Sequence, residues 1–398
     1  MTTAAARATT PDRAQLLERA RALLPTLKAR AFDTERLRRV PDETVQDILA
    51  TGLNRISVPV RFGGLDVAFE LMHDIAIEFG RACGASAWCF ALWGVHNWWV
   101  GYYPPEGQAE VYAQGPDVLT SSAGFAVHSR AEPVPGGYRV SGHWQFSSGC
   151  DHAAWVFAVT STPQGPMGTI VPRADFTILQ DTWHVSGLQG TGSKDIVIDD
   201  VFVPTHRTLP RRDPVFGTSA WSVREYHPQR RYTVPMGALI MWDLVAPAIG
   251  LAQGALDELV ARLSGTSGRA RAADSPLVQA RLAESSVEID AARALMHADF
   301  ADAQDKGERG EPITPFDLAR YARDKAYAMK LAVSATNRLF DMAGGHALFL
   351  DDPLQRIHRD VQACMHRDGL VFDFGALPYG RALLGLDPSA VQLRSRFA

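Results

Sequence analysis

The chain is poor in cysteine, with four residues (Cys83, Cys89, Cys150 and Cys364) among 398, and no CxxC pair joins any of them. That spacing excludes a zinc ribbon and a disulfide scaffold, and it predicts free thiols of the kind kept in a reducing cytoplasm. Excess charge of either sign is also lacking. Lys plus Arg is 40 against 44 for Asp plus Glu, so no basic stripe for nucleic acid is expected. No clean apolar run reaches the ~20 residues of a membrane span. Ser86–Tyr103 is interrupted by His96 and Asn97, and Gly237–Ala252 by Asp243 and Pro247. The opening residues, MTTAAARATTPDRA, have no apolar signal-peptide core. No His/Cys/Asp cluster has metal-ligand spacing, and no G-x-G-x-x-G opens a helix after a strand, so neither a metal nor a nicotinamide site is expected. A soluble, cytoplasmic protein that binds neither nucleic acid nor membrane is the expectation.

What is present divides into three stretches. Residues 1–115 read as an N-terminal helical domain: Leu16, Leu17, Ala20, Leu23 and Leu24 recur at helical spacing. Pro41 followed by Asp42 and Glu43 suits a helix start, and Gly52 suits its end. Leu71 to Arg81 is a further helix, and the Trp-rich Ala85–Tyr103 reads as a buried one. Residues 116–225 turn β-rich. Pro135-Gly136-Gly137 predicts a hairpin into Tyr138–Ser141, while Trp155–Thr160, Thr169–Val171 and Asp195–Ile198 read as strands of a small barrel or sandwich. Residues 211–230 read as a polar loop. Residues 226–398 are helical again, with Leu256, Leu259, Val260 and Leu263 on one face, Leu277, Leu282, Val287 and Ile289 on another, and an Ala-rich run at Ala319–Ala335. The predicted class is α+β: helical domain, β barrel or sandwich, then a four-helix bundle.

Two pieces of sequence resemble a known family over nearly the whole chain. Gly187-Leu188-Gln189-Gly190-Thr191-Gly192-Ser193-Lys194-Asp195, followed by Asp200-Val201-Phe202-Val203-Pro204, is similar to the barrel signature of the acyl-CoA dehydrogenase fold. Gly344-Gly345, Pro353 and Arg359-Asp360 resemble its "GG…P…RD" segment. Within that fold, Trp144-Gln145-Phe146-Ser147-Ser148-Gly149 resembles the "W-x-F-x-S-G" stretch of two-component flavin-dependent aromatic hydroxylases, the oxygenase components that act on p-hydroxyphenylacetate, secosteroid phenols and dibenzothiophene. The dehydrogenases' "T-E-P-G-A-G-S-D" stretch is replaced by Thr120-Ser121-Ser122-Ala123-Gly124-Phe125-Ala126-Val127.

The resemblance implies an oxygenase component. It would take reduced flavin (FMNH2 ahead of FADH2) from a separate NAD(P)H:flavin reductase, add O2 to form a C4a-hydroperoxide, and hydroxylate an aromatic or heteroaromatic small molecule. Such chemistry needs a dry pocket, a hydroxyl at flavin N5 and a proton donor near the peroxide. Ser147 is the N5 candidate, with Trp144 and Ser148 beside the cofactor; the plain alternative for Ser147 is a turn hydroxyl. His96 is the candidate acceptor of a phenol proton, against a core histidine, and Ser122 a substrate hydrogen bonder, against a strand-end hydroxyl. His366 is the candidate peroxide-side donor, against a surface histidine. Trp88, Trp93, Phe374 and Tyr379 are placed around the substrate, as is Trp98 in a mixture of core and pocket. Backbone N–H groups at Gly344 and Gly345 are the expected phosphate nest, with Arg269 or Arg271 completing it across subunits of a homotetramer. Other readings on the same fold are N- or S-oxygenation, an acyl-CoA dehydrogenase with Asp368 as base, and a non-catalytic flavin binder.

Overall fold

A computed structural model describes residues 11–210, 223–264 and 270–390. Among the described residues the N-terminal part holds six α-helices: α1 (Arg13–Ala29), α2 (Ala31–Leu37), α3 (Asp42–Ala50), α4 (Glu70–Gly80), α5 (Gly84–Val100) and α6 (Pro105–Val111). Local chemistry sets their ends. Asp12 caps α1 in a capping box with Gln15. Pro41 is the residue before α3 rather than its first, Asp42 and Glu43 occupy the first turn, and Gly52 follows at φ 71°. Helix α5 is apolar almost all round, and accordingly it is buried almost all round.

Eight strands follow among the described residues: β1 (Thr120–Ala123), β2 (Phe125–Val134), β3 (Gly137–Ser147), β4 (Trp155–Thr162), β5 (Gly165–Pro172), β6 (Thr177–Leu179), β7 (Lys194–Pro204) and β8 (Thr208–Pro210). They form two four-stranded sheets, ordered β1-β4-β5-β8 and β2-β3-β7-β6. The pair β1–β4 is parallel, and the other ladders are antiparallel. The expected hairpin is β2–β3, turning at Pro135-Gly136 with Gly136 at φ 81°. Side chains enclosed by the sheets, among them Val140, Trp144, Val156, Ala158, Ile196 and Ile198, make a core of their own. Phe157, Ile170 and Leu209 point the other way and join the helical core, so the first sheet is covered by helices on its outer face.

The C-terminal part is built on α7 (Trp242–Ser264), α8 (Pro276–Arg309), α9 (Pro315–Ala343) and α10 (Pro353–Met365). Thr314 and Asp317 make a capping box for α9, and Asp352 with Pro353 starts α10. The stretch Met236–Ser264, expected not to suit a membrane, is long and apolar enough to cross one by composition alone, with mean hydropathy 1.5 over an 18-residue window. However, 78% of that window is buried inside the fold, which marks a central core helix. Its Gly250 backs onto Gly80 of α4, where a Cβ on either would press on the other's backbone. The expected apolar faces are only partly realised. On α7 Leu259 is buried and Val260 exposed; on α8 Ile289 is buried whereas Leu277 and Val287 are exposed, so each helix touches the bundle along a narrower stripe than its leucines and valines suggest. All four cysteines are buried and unpaired.

Candidate active site

Helix α5 meets the β domain along Trp88, His96 and Trp99. His96 Nδ1 lies 2.9 Å from the Thr120 carbonyl. A carbonyl only accepts, so the proton sits on Nδ1 and Nε2 carries a lone pair. Burial lowers the pKa to about 4, partly offset by the Thr120 bond, and the ring is neutral at physiological pH. Nε2 is buried with no hydrogen-bond partner among the described residues, as are Thr120 Oγ1 and Trp99 Nε1. The Trp99 ring lies 4.9 Å from the imidazole and Phe157 5.8 Å, so the lone pair sits in an aromatic wall. Ser122 pairs with Phe157 two residues along β1 from Thr120 and is half-buried on the same outer side of the sheet. His96 and Ser122 thus share Phe157 as a neighbour, the imidazole through its ring and the serine as its partner across the β1–β4 ladder.

The corner after β3 sets the two adjacent serines on different sides of the strand. Alternation along β3 turns Val140 and Trp144 into the barrel. Phe146 then adopts φ 64°, and the β3–β7 register shifts between Trp144 and Ser147. This break swaps the faces of the next residues. Ser147, expected at the cofactor, is fully enclosed, its Oγ 2.9 Å from Ser121 Oγ. Trp144, also expected there, has no accessible surface, and its indole N–H donates to the Val159 carbonyl at 2.7 Å. Ser148 is the hydroxyl on the α5 side. It accepts from Trp88 Nε1 at 3.2 Å and lies 2.7 Å from Ser193 Oγ, which is 2.7 Å from Thr191 Oγ1. Phe146 is thrown outward, 51% exposed, with its ring 5.7 Å from Phe125 and 6.1 Å from Trp183. The Arg367 guanidinium sits 5.0 Å over Phe125, which brings the end of α10 to this aromatic surface. His366, exposed at that helix end, donates from Nδ1 to the Gln362 carbonyl at 2.7 Å, leaving Nε2 as the second nitrogen.

Other expected residues lie elsewhere. Trp93 and Trp98 are fully buried: one packs with Val40, Val45, Cys89 and Leu119, and the other donates to the Arg231 carbonyl. Neither has surface to offer a substrate. Tyr379 packs 5.3 Å from Phe316, with Arg323 over its ring, on α9 and away from α5. Phe374 is half-buried on the helical turn Phe372–Gly375 of the bundle. Gly344, at φ 71°, and Gly345 end α9 in open space. Arg269 lies outside the described residues, as do the side chains of Arg271 and Asp368. Reading the sequence missed Phe146, Trp99 and the Thr191–Ser193 hydroxyls. Only Trp99 carried a signal, lying one helical turn beyond His96.

Residues 243–368 match the family model described as acyl-CoA dehydrogenase, C-terminal domain. Across 87% of its length the chain is 36% identical to the flavin-dependent monooxygenase oxygenase subunit HsaA of Rhodococcus jostii RHA1, covering 92% of that protein. It is 32% identical to the oxygenase component of an FADH2-dependent resorcinol hydroxylase from a Rhizobium species, over 96% of this chain and 97% of that one. The crystal structure of the HsaA monooxygenase from M. tuberculosis superposes with a TM-score of 0.88 at 32% identity, covering 95% of this chain and 99% of that one. The chain belongs to the flavin-dependent monooxygenase oxygenase components built on the acyl-CoA dehydrogenase fold.

Proposed function

We propose that this chain uses reduced flavin from a separate reductase, together with O2, to hydroxylate a phenol or a related fused aromatic. The carrying observation is His96: a neutral, buried imidazole whose Nδ1–H is committed to Thr120 and whose Nε2 lone pair has no partner among the described residues. A buried acceptor left unpaired costs about 1–3 kcal/mol, and a phenolic O–H is the donor that would relieve it. Ser122 lies on the same side to hold a second substrate oxygen. Reduced flavin, when bound, supplies the electrons that activate O2. The residues fit such a ring system. Phe146, Phe125 and Trp183 offer an aromatic surface, Ser148 Oγ offers a lone pair, and His366 offers its Nε2 nitrogen. The N–H groups of Gly344 and Gly345 are suited to the cofactor phosphate.

A homotetramer in the cytoplasm is part of the proposal. Leu348, Phe349 and Leu350 are exposed at 70%, 63% and 82%, and an apolar groove of about 700 Å³ runs beside Ala294, Ala298, Tyr327 and Leu331. Four buried free thiols suit a reducing compartment.

The test is anaerobic loading with chemically reduced FMN or FAD, then O2 and a panel of phenols, indoles and polycyclic aromatics. Isotopic oxygen in a hydroxylated product supports the proposal. Flavin reduction by an acyl-CoA, with no labelled product, would reverse it in favour of dehydrogenation.

A further inference from the structure

The hydroxyls around Ser148 form a chain whose direction is fixed at one end. Thr191 Oγ1 donates to the Leu188 carbonyl at 2.8 Å, and a carbonyl cannot donate in return. Each hydroxyl has one proton. Thr191 has spent its own, so the 2.7 Å contact with Ser193 carries the Ser193 proton. Ser193 has then spent its own, so the 2.7 Å contact with Ser148 carries the Ser148 proton. Trp88 Nε1, which can only donate, fills one lone pair on Ser148 Oγ. What remains is a single lone pair and no proton. Thr191 and Ser193 are buried, whereas Ser148 keeps 8% of its surface accessible on the α5 side. Reversing the chain would surrender the Thr191–Leu188 side-chain bond, the shortest of the three that carbonyl accepts, and leave it the Thr191 backbone N–H at 3.1 Å and the Trp183 indole N–H at 3.3 Å.

We propose that Thr191 and Ser193 are positioning residues that hold Ser148 as a pure hydrogen-bond acceptor, so that the site discriminates between the redox states of its cofactor. This rests on the flavin reading above. N5 of a flavin bears a proton in the reduced form and a lone pair in the oxidised form. An acceptor takes the N5–H of reduced flavin and holds that proton in place. It repels the bare N5 of the oxidised ring. Discrimination of this kind suits an enzyme that must capture reduced flavin and release the spent form.

Anaerobic equilibrium titration with reduced FMN and with oxidised FMN gives two dissociation constants and their ratio. Wild type favours the reduced form. Thr191→Val leaves the Ser193 proton no acceptor but Ser148, which reverses the chain and turns the Ser148 proton outward. Ser193→Ala frees the same proton directly. Each variant should lower the reduced-to-oxidised preference roughly five- to tenfold, the worth of one hydrogen bond, while Thr191→Ser keeps the wild-type ratio. An unchanged ratio in the variants, with apoprotein melting as wild type, overturns the proposal. If Thr191→Val does not fold, Ser193→Ala decides alone. Wild type that binds neither form of FMN removes the flavin reading itself, an outcome distinct from an unchanged ratio.

Discussion

Replacing His96 with asparagine separates the two consequences of its burial. The imidazole titrates at about 4 in the folded protein because it lies in the aromatic wall between α5 and β1. The unfolded chain takes up a proton near pH 6.5. The folded pKa is the depressed one, so the stability linked to this residue is intact above about pH 6.5 and drains as the pH falls toward 4. Between about pH 7.5 and pH 5 the two binding curves diverge by roughly 1.5 protonation decades, or ~2 kcal/mol. Asparagine can still donate an amide N–H toward the Thr120 carbonyl, but it neither titrates nor presents the Nε2 lone pair. Urea unfolding of both proteins at several pH values should show the gap between them narrowing by ~2 kcal/mol on acidification. Other buried histidines, His73 and His227, shift both curves alike and cancel. At neutral pH the variant should bind reduced flavin within about twofold of wild type and hydroxylate about a hundredfold more slowly, the usual worth of a positioned base. Parallel stability curves would show that the imidazole is not held neutral by burial. Undiminished hydroxylation would make His96 a core histidine and nothing more.

The two adjacent serines give opposite signatures. Ser148→Ala should divert several-fold more of the reduced flavin's electrons into hydrogen peroxide, read as peroxide released per product formed, with little change in melting temperature. Ser147→Ala should cost about 1 kcal/mol of stability through its bond to Ser121 and leave coupling alone; the reverse pattern would return the cofactor role to Ser147. Gly187→Ala should destabilise by about 1–3 kcal/mol or prevent folding, because a Cβ there overlaps the Arg359 carbonyl. A thermal midpoint equal to wild type would mean that the Gly187–Arg359 contact is not closed in solution.

The elements were legible where local chemistry decides them. Pro135-Gly136 fixes a turn, and the apolar content of α5 fixes its burial. The side each residue faces was legible only where a period exists to be read. Helix α5 is apolar on every side, so nothing in its pattern tells buried Trp93 and Trp98 from half-exposed Trp88 and Trp99. Along β3 a period exists, but it breaks at Phe146, a non-glycine residue at positive φ that no local propensity foretells. Two consecutive serines follow that break, so a slip of one residue was enough to exchange a core hydroxyl for the one facing α5. The surroundings of Tyr379 were not legible for a different reason. Its partners Phe316 and Arg323 lie more than fifty positions away, and only the assembled bundle brings them together.

The short motifs that carried the family resemblance turn out to be two halves of one joint. Gly187 lies against the backbone of Arg359 and Asp360, Arg359 Nη1 donates to the Ser186 carbonyl at 2.7 Å, and the Leu188 N–H donates to Asp360 at 2.6 Å. Leu188 sits at φ 53°, a conformation that a leucine holds only when its surroundings fix it. The Asp360 carboxylate does so from inside the protein, where burial pushes its pKa up to about 6. The same Leu188 offers the carbonyl on which the Thr191–Ser193–Ser148 chain ends. A helix of the bundle thus sets the backbone turn that orients a hydroxyl on the barrel, and the polarity at Ser148 depends on how the two are docked. Glycine is required where the backbones touch, aspartate where the turn is pinned, and threonine and serine where protons are lined up. This is why signatures lying more than 150 positions apart belong to a single physical device.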